Sequence, residues 1–166
     1  MWHEILNHFS DSPSQAMVVT FLATNGFGVT ESGKIACNGI PVAATQVAQK
    51  VGVDRRVIDM TVHQILKNPE LANIFLNMRA TPDISLLAEH LGLYPITIIP
   101  KNATEEGIIG ATVAILSAEH IPLRQIFVTD PYLSETPKLV IVAEQPIPPQ
   151  VIRALRDLPS IKMIIL

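Results

Sequence analysis

The order of β-rich runs and helical patterns in residues 93–166 limits the fold more than any other feature of this chain. The β-rich runs occupy residues 93–100, 125–129, 138–143 and 161–166. Helical patterns lie between the first two runs, at residues 105–119, and between the last two, at residues 149–157. The resulting order β-α-β-β-α-β is typical of the ferredoxin-like split β-α-β layout. Right-handed crossovers would place both helices on one face of a single sheet.

Residues 1–92 have helical spacing instead. Ser12-Pro13 predicts a helix start, and Asn25-Gly26 predicts the end of that helix. Asn38-Gly39 lies between two short apolar runs and predicts a β-hairpin. We therefore predict an α+β protein with a mostly helical domain at residues 1–92 and a ferredoxin-like domain at residues 93–166.

Four further helices are predicted between the hairpin and the first β-rich run. The first two are short and adjacent, with Gly52-Val53 as the turn and Asp54 as the N-cap of the second. The third follows Pro69, and apolar residues at helical spacing define its buried face. The fourth is predicted to begin at Thr81-Pro82 and to stop at Gly92.

The two adjacent short helices resemble a helix-turn-helix, in which the first residues of the second helix face base edges. Arg55 and Arg56 occupy those positions, and Asp59 and His63 continue the same face. An arginine can donate two hydrogen bonds to guanine, which favours Arg55 and Arg56 as base-reading residues. Together with Asp59 and His63 on the same face, they are the predicted DNA-binding residues. The open alternative is that the arginines pair with nearby carboxylates on a solvated helix. The preceding hairpin could act as a wing or as structural cover.

The charge balance keeps a second class of partner open for residues 1–92. The chain has 12 Lys and Arg against 15 Asp and Glu, which gives a formal net charge of −3. Neither half is basic, so strong non-specific attraction to nucleic acid is not expected. The alternative function is a regulatory or scaffold subunit that docks on a metabolic enzyme without binding DNA.

A longer stretch resembles a known family. Residues 46–57, followed by Thr61, Ile65, Leu71 and Phe75, look like the archaeal predicted regulators of amino-acid metabolism. Those proteins join an N-terminal helix-turn-helix-like region to a C-terminal ACT domain. The resemblance covers nearly the whole chain and is most specific at residues 52–57. It implies a transcriptional regulator that senses a small effector.

The ACT pattern begins with an apolar strand, continues with a polar loop that ends in Gly, and then enters an aliphatic helix. The resemblance implies that an amino acid binds at this strand-to-helix loop. The predicted ligand-binding residues are Lys101, Asn102, Thr104, Gly107 and Ile108. The family usually has an Asp and a Pro before the Gly, whereas Thr104-Glu105-Glu106 stands here. We interpret the two glutamates as complements to the helix dipole.

Enzyme and metal signatures are missing from the sequence. It has no GxGxxG, GxxxxGK[ST], GxSxG or HExxH motif, and its five histidines lack metal-ligand spacing. We expect no catalytic residue, no metal and no cofactor. The single cysteine, Cys37, excludes an internal disulfide and fits a reducing compartment. With neither a secretory signal nor a membrane-spanning stretch in the sequence, we expect a cytoplasmic protein that does not contact membranes.

The second domain is expected to form a homodimer. A four-stranded sheet leaves two edge strands unpaired, and such modules pair their edges or pack their faces. Residues 161–166 are apolar on both faces apart from Lys162, which predicts burial beyond the two helices. The predicted function is therefore that of a dimeric, ligand-sensing regulator of amino-acid metabolism.

Overall fold

The structure, a computed structural model, describes residues 2–166. The chain divides into two compact units, one that ends at Pro82 and one that runs from Asp83 to Leu166. Sequence reasoning had put the boundary further along the chain, near Gly92. Within the described residues there are seven α-helices, a three-stranded sheet and a four-stranded sheet, both antiparallel. The predicted α+β class is therefore confirmed.

The first unit consists of five helices and the small sheet. Its elements are α1 (Trp2–Asn7), α2 (Pro13–Asn25), β1 (Gly28–Val29), β2 (Ile35–Cys37), β3 (Ile40–Pro41), α3 (Ala44–Val51), α4 (Arg55–Lys67) and α5 (Pro69–Asn77). The predicted limits of α2 are confirmed, and Gly26 ends it in the left-handed conformation at φ 67°. The predicted hairpin turn is confirmed too, since both Asn38 and Gly39 have positive φ.

Helix α4 lies at the centre of the first unit and contacts α2, α3 and α5. The Asp54 carboxylate accepts a hydrogen bond from the Arg56 amide at 2.8 Å, which confirms the predicted N-cap. Gln64 on the same helix accepts a hydrogen bond from Gln15 and donates one to the His8 carbonyl. These bonds satisfy polar groups beside the apolar core and fix α4 against α2.

The small sheet covers the core with two of its three strands. Val29, Ile35 and Ala36 are buried, whereas β3 is exposed along its length. Strand β1 lies so close to α5 that a side-chain carbon at Gly28 would overlap the Phe75 carbonyl oxygen. Of the two uses considered for the hairpin, its strand β2 fits structural cover, whereas its strand β3 is exposed, as a wing would be.

The second unit has the predicted β-α-β-β-α-β order. Its elements are β4 (Tyr94–Pro100), α6 (Ile108–Ala118), β5 (Leu123–Val128), β6 (Leu139–Ala143), α7 (Pro149–Arg156) and β7 (Ile161–Ile165). The strands are arranged β5-β6-β4-β7, with every neighbouring pair antiparallel. Both helices pack on one face of this sheet, where Ile98, Leu116, Ile141 and Leu155 are buried in one cluster.

Sequence reasoning was wrong about the segment before β4. An α-helix was predicted from Thr81-Pro82 to Gly92, but the structure has two 3₁₀ turns, Ser85–Leu87 and Glu89–Leu91. The Asp83 carboxylate accepts from the Ser85 amide, and Gly92 ends the second turn with φ 69°. A lone segment of this length gains little from helix formation, so contact with a neighbouring surface decides its conformation.

One predicted limit in the second unit also needs correction. Helix α6 begins at Ile108 and not at Glu105, because Gly107 has φ 85°, which a right-handed helix cannot contain. Residues 161–166 are predicted to be buried beyond the two helices, and in the single chain Met163 and Ile165 are 45% and 48% exposed. The chain thus leaves apolar surface at this edge of the sheet.

One buried hydroxyl provides a test of the core of the second unit. Thr112 on α6 is fully buried, and its Oγ1 has no hydrogen-bond partner among the described residues. We predict that Thr112→Val raises the free energy of unfolding by about 1 kcal/mol, because it removes an unsatisfied polar atom at constant shape. Urea denaturation of the full chain measures this change.

The matched control for that variant is Thr61→Val in the first unit. Thr61 is equally buried, but its Oγ1 donates to the Val57 carbonyl at 2.7 Å. This exchange should lower the free energy of unfolding by ~1 kcal/mol. Equal losses at both positions would show that the Thr112 hydroxyl is hydrogen-bonded after all.

Candidate functional site

A cavity of about 190 Å³ lies in the second unit beside the start of α6. One wall comes from the loop between β4 and α6, and the opposite wall comes from the ends of β5 and β6 with their connecting loop. The lining residues are Pro100, Ala103, Glu105, Gly107, Ile108, Ile109, Gly110, Val128, Thr129, Pro131, Pro137, Lys138 and Leu139. The cavity is therefore mainly apolar, with one acidic and one basic residue in its lining.

Two of the five predicted ligand-binding residues, Gly107 and Ile108, line this cavity. The other three do not, and each has a structural contact elsewhere. Lys101 donates from Nζ to the Pro159 carbonyl at 2.7 Å, which ties the loop to the turn before β7. Asn102 accepts hydrogen bonds from the amide and the hydroxyl of Thr104, which shapes the loop itself.

The start of α6 offers backbone donors at the cavity. Gly107 is the N-cap without a side-chain cap, and the first helical bond runs from the Ala111 amide to the Gly107 carbonyl at 2.9 Å. The amides of residues 108–110 therefore have no acceptor within the helix. Such amides, together with the helix dipole, favour a carboxylate or another anion.

The opposite wall was not predicted from the sequence. Thr129 and Lys138 close the base of the β5–β6 loop, since the Lys138 amide donates to the Thr129 hydroxyl at 2.8 Å. The Asp130 carboxylate accepts from the Tyr132 and Leu133 amides and so shapes the same loop. Asp130-Pro131 and Pro137 mark this loop as a turn in the sequence. Only the sheet order brings it to α6.

A second candidate site is the exposed face of α4 in the first unit. The four predicted DNA-binding residues, Arg55, Arg56, Asp59 and His63, are all exposed on this helix. Arg55 forms an ion pair with Asp59, with 3.5 Å between Nε and Oδ2. The first turn of α4 thus has the exposed arginines that DNA binding needs. It also has an arginine paired with a carboxylate, as the alternative of a solvated helix predicts.

Sequence reasoning missed Lys34 as a neighbour of this face. A cleft of about 320 Å³ between the small sheet and α4 is lined by Lys34 on one side and by Arg55 and Asp59 on the other. Lys34 immediately precedes β2, so the hairpin brings a cation to the first turn of α4. Lys34 and Arg55 are far apart in the sequence, and only the packing of the small sheet beside α4 brings them to the same cleft.

The described residues include neither a cluster of metal ligands nor a membrane-spanning helix. Within residues 2–166, no group of three or more His, Cys, Asp and Glu side chains is placed to hold a metal ion. No helix in the described part of the chain has the length and apolarity needed to cross a membrane.

No model of a known protein family matches the sequence, and no curated protein matches it significantly. Function is therefore inferred from the two sites themselves.

The exposed face of α4 leads to a stability prediction. Replacing Arg55 and Arg56 together with Ala should change the free energy of unfolding by less than about 0.5 kcal/mol, because an exposed (i, i+4) ion pair contributes little. Asp54→Ala should cost about 1 kcal/mol, because it removes the helix cap. Thermal and urea unfolding of the full chain measure both. A double-arginine variant that is less stable than Asp54→Ala would contradict the prediction that these exposed arginines contribute little to folding stability.

Proposed function

We propose that this protein is a dimeric, ligand-sensing regulator of amino-acid metabolism. In this proposal the second unit is an ACT-like module that binds an amino acid in the cavity beside α6. The first unit is a helix-turn-helix-like module that contacts DNA through α4, in the cytoplasm. The observation that supports the proposal most is the cavity itself, which combines an apolar lining with free backbone amides and one carboxylate. No catalytic step is assigned to either unit.

The lining of the cavity favours an amino acid over other small metabolites. Free amides at the start of α6 would receive the ligand carboxylate. Glu105 lines the same cavity and would attract the ligand ammonium group. Ile108, Val128 and Leu139 are among the apolar lining residues and would surround an aliphatic side chain. Glu105 thus has a use beyond complementing the helix dipole.

The volume of the cavity favours a small ligand. At roughly 30 Å³ for each liquid water molecule, about 190 Å³ equals the space of roughly six waters. Pockets for drug-sized ligands begin near about 300 Å³. This volume suits an aliphatic amino acid better than a nucleotide.

The proposed contact with DNA is supported by the solvent face of α4. Arg55 and Arg56 are exposed at its first turn, where a recognition helix presents side chains to base edges. Lys34 across the cleft is suited to a backbone phosphate. The contact would be weak outside its preferred sequence, because the chain as a whole is acidic.

The second candidate function is a regulatory or scaffold subunit that docks on a metabolic enzyme. The ion pair between Arg55 and Asp59 favours it, because a paired arginine is less available to a guanine. The negative net charge favours it as well. In this alternative, the second unit keeps its ligand and α4 contacts a protein surface.

Ligand binding is tested by a thermal-shift screen of the full chain against all proteinogenic amino acids, purines and sugars. We predict that an aliphatic amino acid raises the melting temperature. At a hundredfold excess over its dissociation constant, a ligand that binds only the folded state adds about 2.7 kcal/mol. Ala103→Leu, which extends a cavity-lining side chain, should abolish this shift.

The matched control for that variant is Ala114→Leu. Ala114 is exposed on α6 and does not line the cavity, so this variant should keep the full shift. Glu105→Gln should weaken the binding of amino acids but not of the corresponding carboxylic acids, which lack the ammonium group. If no compound shifts the melting temperature, the sensing function is refuted.

DNA binding is tested by selecting bound sequences from a random pool, with and without the ligand. A two-fold symmetric dimer predicts an inverted repeat with half-sites about one helical turn apart. Replacing Arg55 or Arg56 with Ala should each cost about 1–3 kcal/mol in binding to the selected sequence, measured by fluorescence anisotropy. Lys34→Ala should weaken binding to all sequences and reduce its salt dependence.

His3→Ala serves as the control for these variants, since it changes an exposed polar residue outside α4 and the cleft. If no sequence is enriched under either condition, or if the double arginine variant binds like the wild type, the DNA contact is refuted. The docking subunit then becomes the better description of the first unit.

A further inference from the structure

The four-stranded sheet of the second unit has a face that the helices do not cover. Residues paired directly across neighbouring strands share a face, so the register defines its members. They are Pro95, Thr97 and Ile99 on β4, Gln125 and Phe127 on β5, Val140 and Val142 on β6, and Met163 and Ile165 on β7. We call this the helix-free face. Every side chain on it is uncharged.

Half of the helix-free face is covered by the segment that was predicted to be a helix. Residues 83–92, which we call the strap, contact β6 through the first 3₁₀ turn. The Ile84 amide donates to Gln125 Oε1 at 3.1 Å, which places the strap over β5 as well. Val140 and Val142 are almost completely buried although the helix-side cluster does not contain them. The strap therefore shields the β5–β6 half.

The other half of the face has no such cover. Met163 and Ile165 on β7 are 45% and 48% exposed, and Thr97 and Ile99 on β4 are only half-buried. We call these four residues the open half-face. It is two strands wide, as is the half that the strap covers. An uncharged strip of this kind offers nothing to a nucleic acid or an acidic peptide, and its complement must be apolar.

The strap carries such a complement on its outer side. Leu86 is 94% exposed, and Leu87 and Leu91 are also exposed. An exposed leucine forgoes the favourable free energy of burial. Exposed leucines and an open half-face therefore occur in the same unit of the same chain. Two copies related by a two-fold axis could satisfy both at once.

From these features we propose that the helix-free face is a homodimer interface in which the strap of each copy covers the open half-face of the other. This inference rests on the dimeric state in the proposed function and assigns its surface. The two straps lie side by side between the two sheets. Each contacts its own β5–β6 half and the partner's β4–β7 half. The contact of Leu86 with the Met163 region therefore occurs twice.

The exposed area is at the lower end of what a specific dimer needs. Leu86, Leu87, Leu91, Met163 and Ile165 together expose about as much surface as three complete side chains, which is roughly 300 Å² of apolar surface per copy. With the usual share of polar area, the interface would bury roughly 1,000 Å² in total. That value reaches the lower limit for a specific interface.

The test uses two single variants of the full chain and sedimentation equilibrium. Leu86→Glu and Met163→Lys each place a charge in the proposed apolar contact. Each should raise the dimer dissociation constant by at least about tenfold, because an unpaired charge would be buried twice per dimer. Circular dichroism should show folded chains, since both side chains are exposed in the single chain.

The mixture of the two variants gives the sharpest result. A heterodimer of Leu86→Glu with Met163→Lys has one Glu–Lys contact and one unchanged Leu–Met contact. This heterodimer should therefore have a lower dissociation constant than the homodimer of either variant. A structural effect of the substitutions on the single chains would not produce that difference. A mixture that stays monomeric while wild type dimerises overturns the proposed pairing.

Ile126→Glu is the matched control. Ile126 lies on edge strand β5 and is 38% exposed, but it pairs with Ile141 on the opposite, helix-covered face. This variant should remain dimeric. If Ile126→Glu dissociates the dimer and Met163→Lys does not, the copies join by strand edges and the proposed interface is wrong. A monomeric wild type refutes the interface and the dimeric state together, whereas the ligand-induced melting shift tests sensing independently.

Discussion

Strand β6 is the element on which the second unit depends, because it is buried along its whole length. It pairs with β5 on one edge and with β4 on the other, so its backbone groups are satisfied within the sheet. Its two faces need separate covers. Helices α6 and α7 cover one face. The strap supplies the other, which explains why residues 83–92 belong to this unit and not to the helical one.

The same arrangement creates the cavity. Helix α6 must begin close to the sheet in order to cover β6, and Gly107 allows the abrupt start because it adopts φ 85°. The antiparallel pairing of β5 with β6 brings their connecting loop to the same place. Free helix amides, a carboxylate and aliphatic side chains therefore meet in a small volume. The packing of the core therefore already fixes the shape of the cavity for which we propose ligand binding.

Much of the fold could be predicted from local signals. Pro13 and Gly26 limit α2, Asp54 caps α4, and Asn38-Gly39 forms the hairpin turn, since each acts on its immediate neighbours. The strap could not be predicted in this way. Its leucine spacing matches a helix, but its conformation depends on contact with β6. Met163 is exposed in the single chain because the strap covers only the β5–β6 half of the face.

The residues of the two candidate sites also differ in whether local sequence signals or long-range contacts place them. Gly107 and Ile108 line the cavity because they adjoin the start of α6, where position in the chain implies position in space. Lys101 lies outside the lining, because it is held by Pro159, which is distant in sequence. Lys138 and Lys34 were missed for the same reason, since each reaches its site only through the pairing or packing of a sheet. Chemistry that depends on long-range contacts requires the three-dimensional structure.

The central claim is that an amino acid binds the second unit between the start of α6 and the β5–β6 loop. Hydrogen–deuterium exchange of the full chain, with and without a saturating aliphatic amino acid, tests it most directly. The account predicts slower exchange of the amides of residues 108–110, together with slower exchange in residues 129–139. The two segments are distant in sequence and meet only at this cavity. Unchanged exchange in both segments, with protection elsewhere or nowhere, would contradict it.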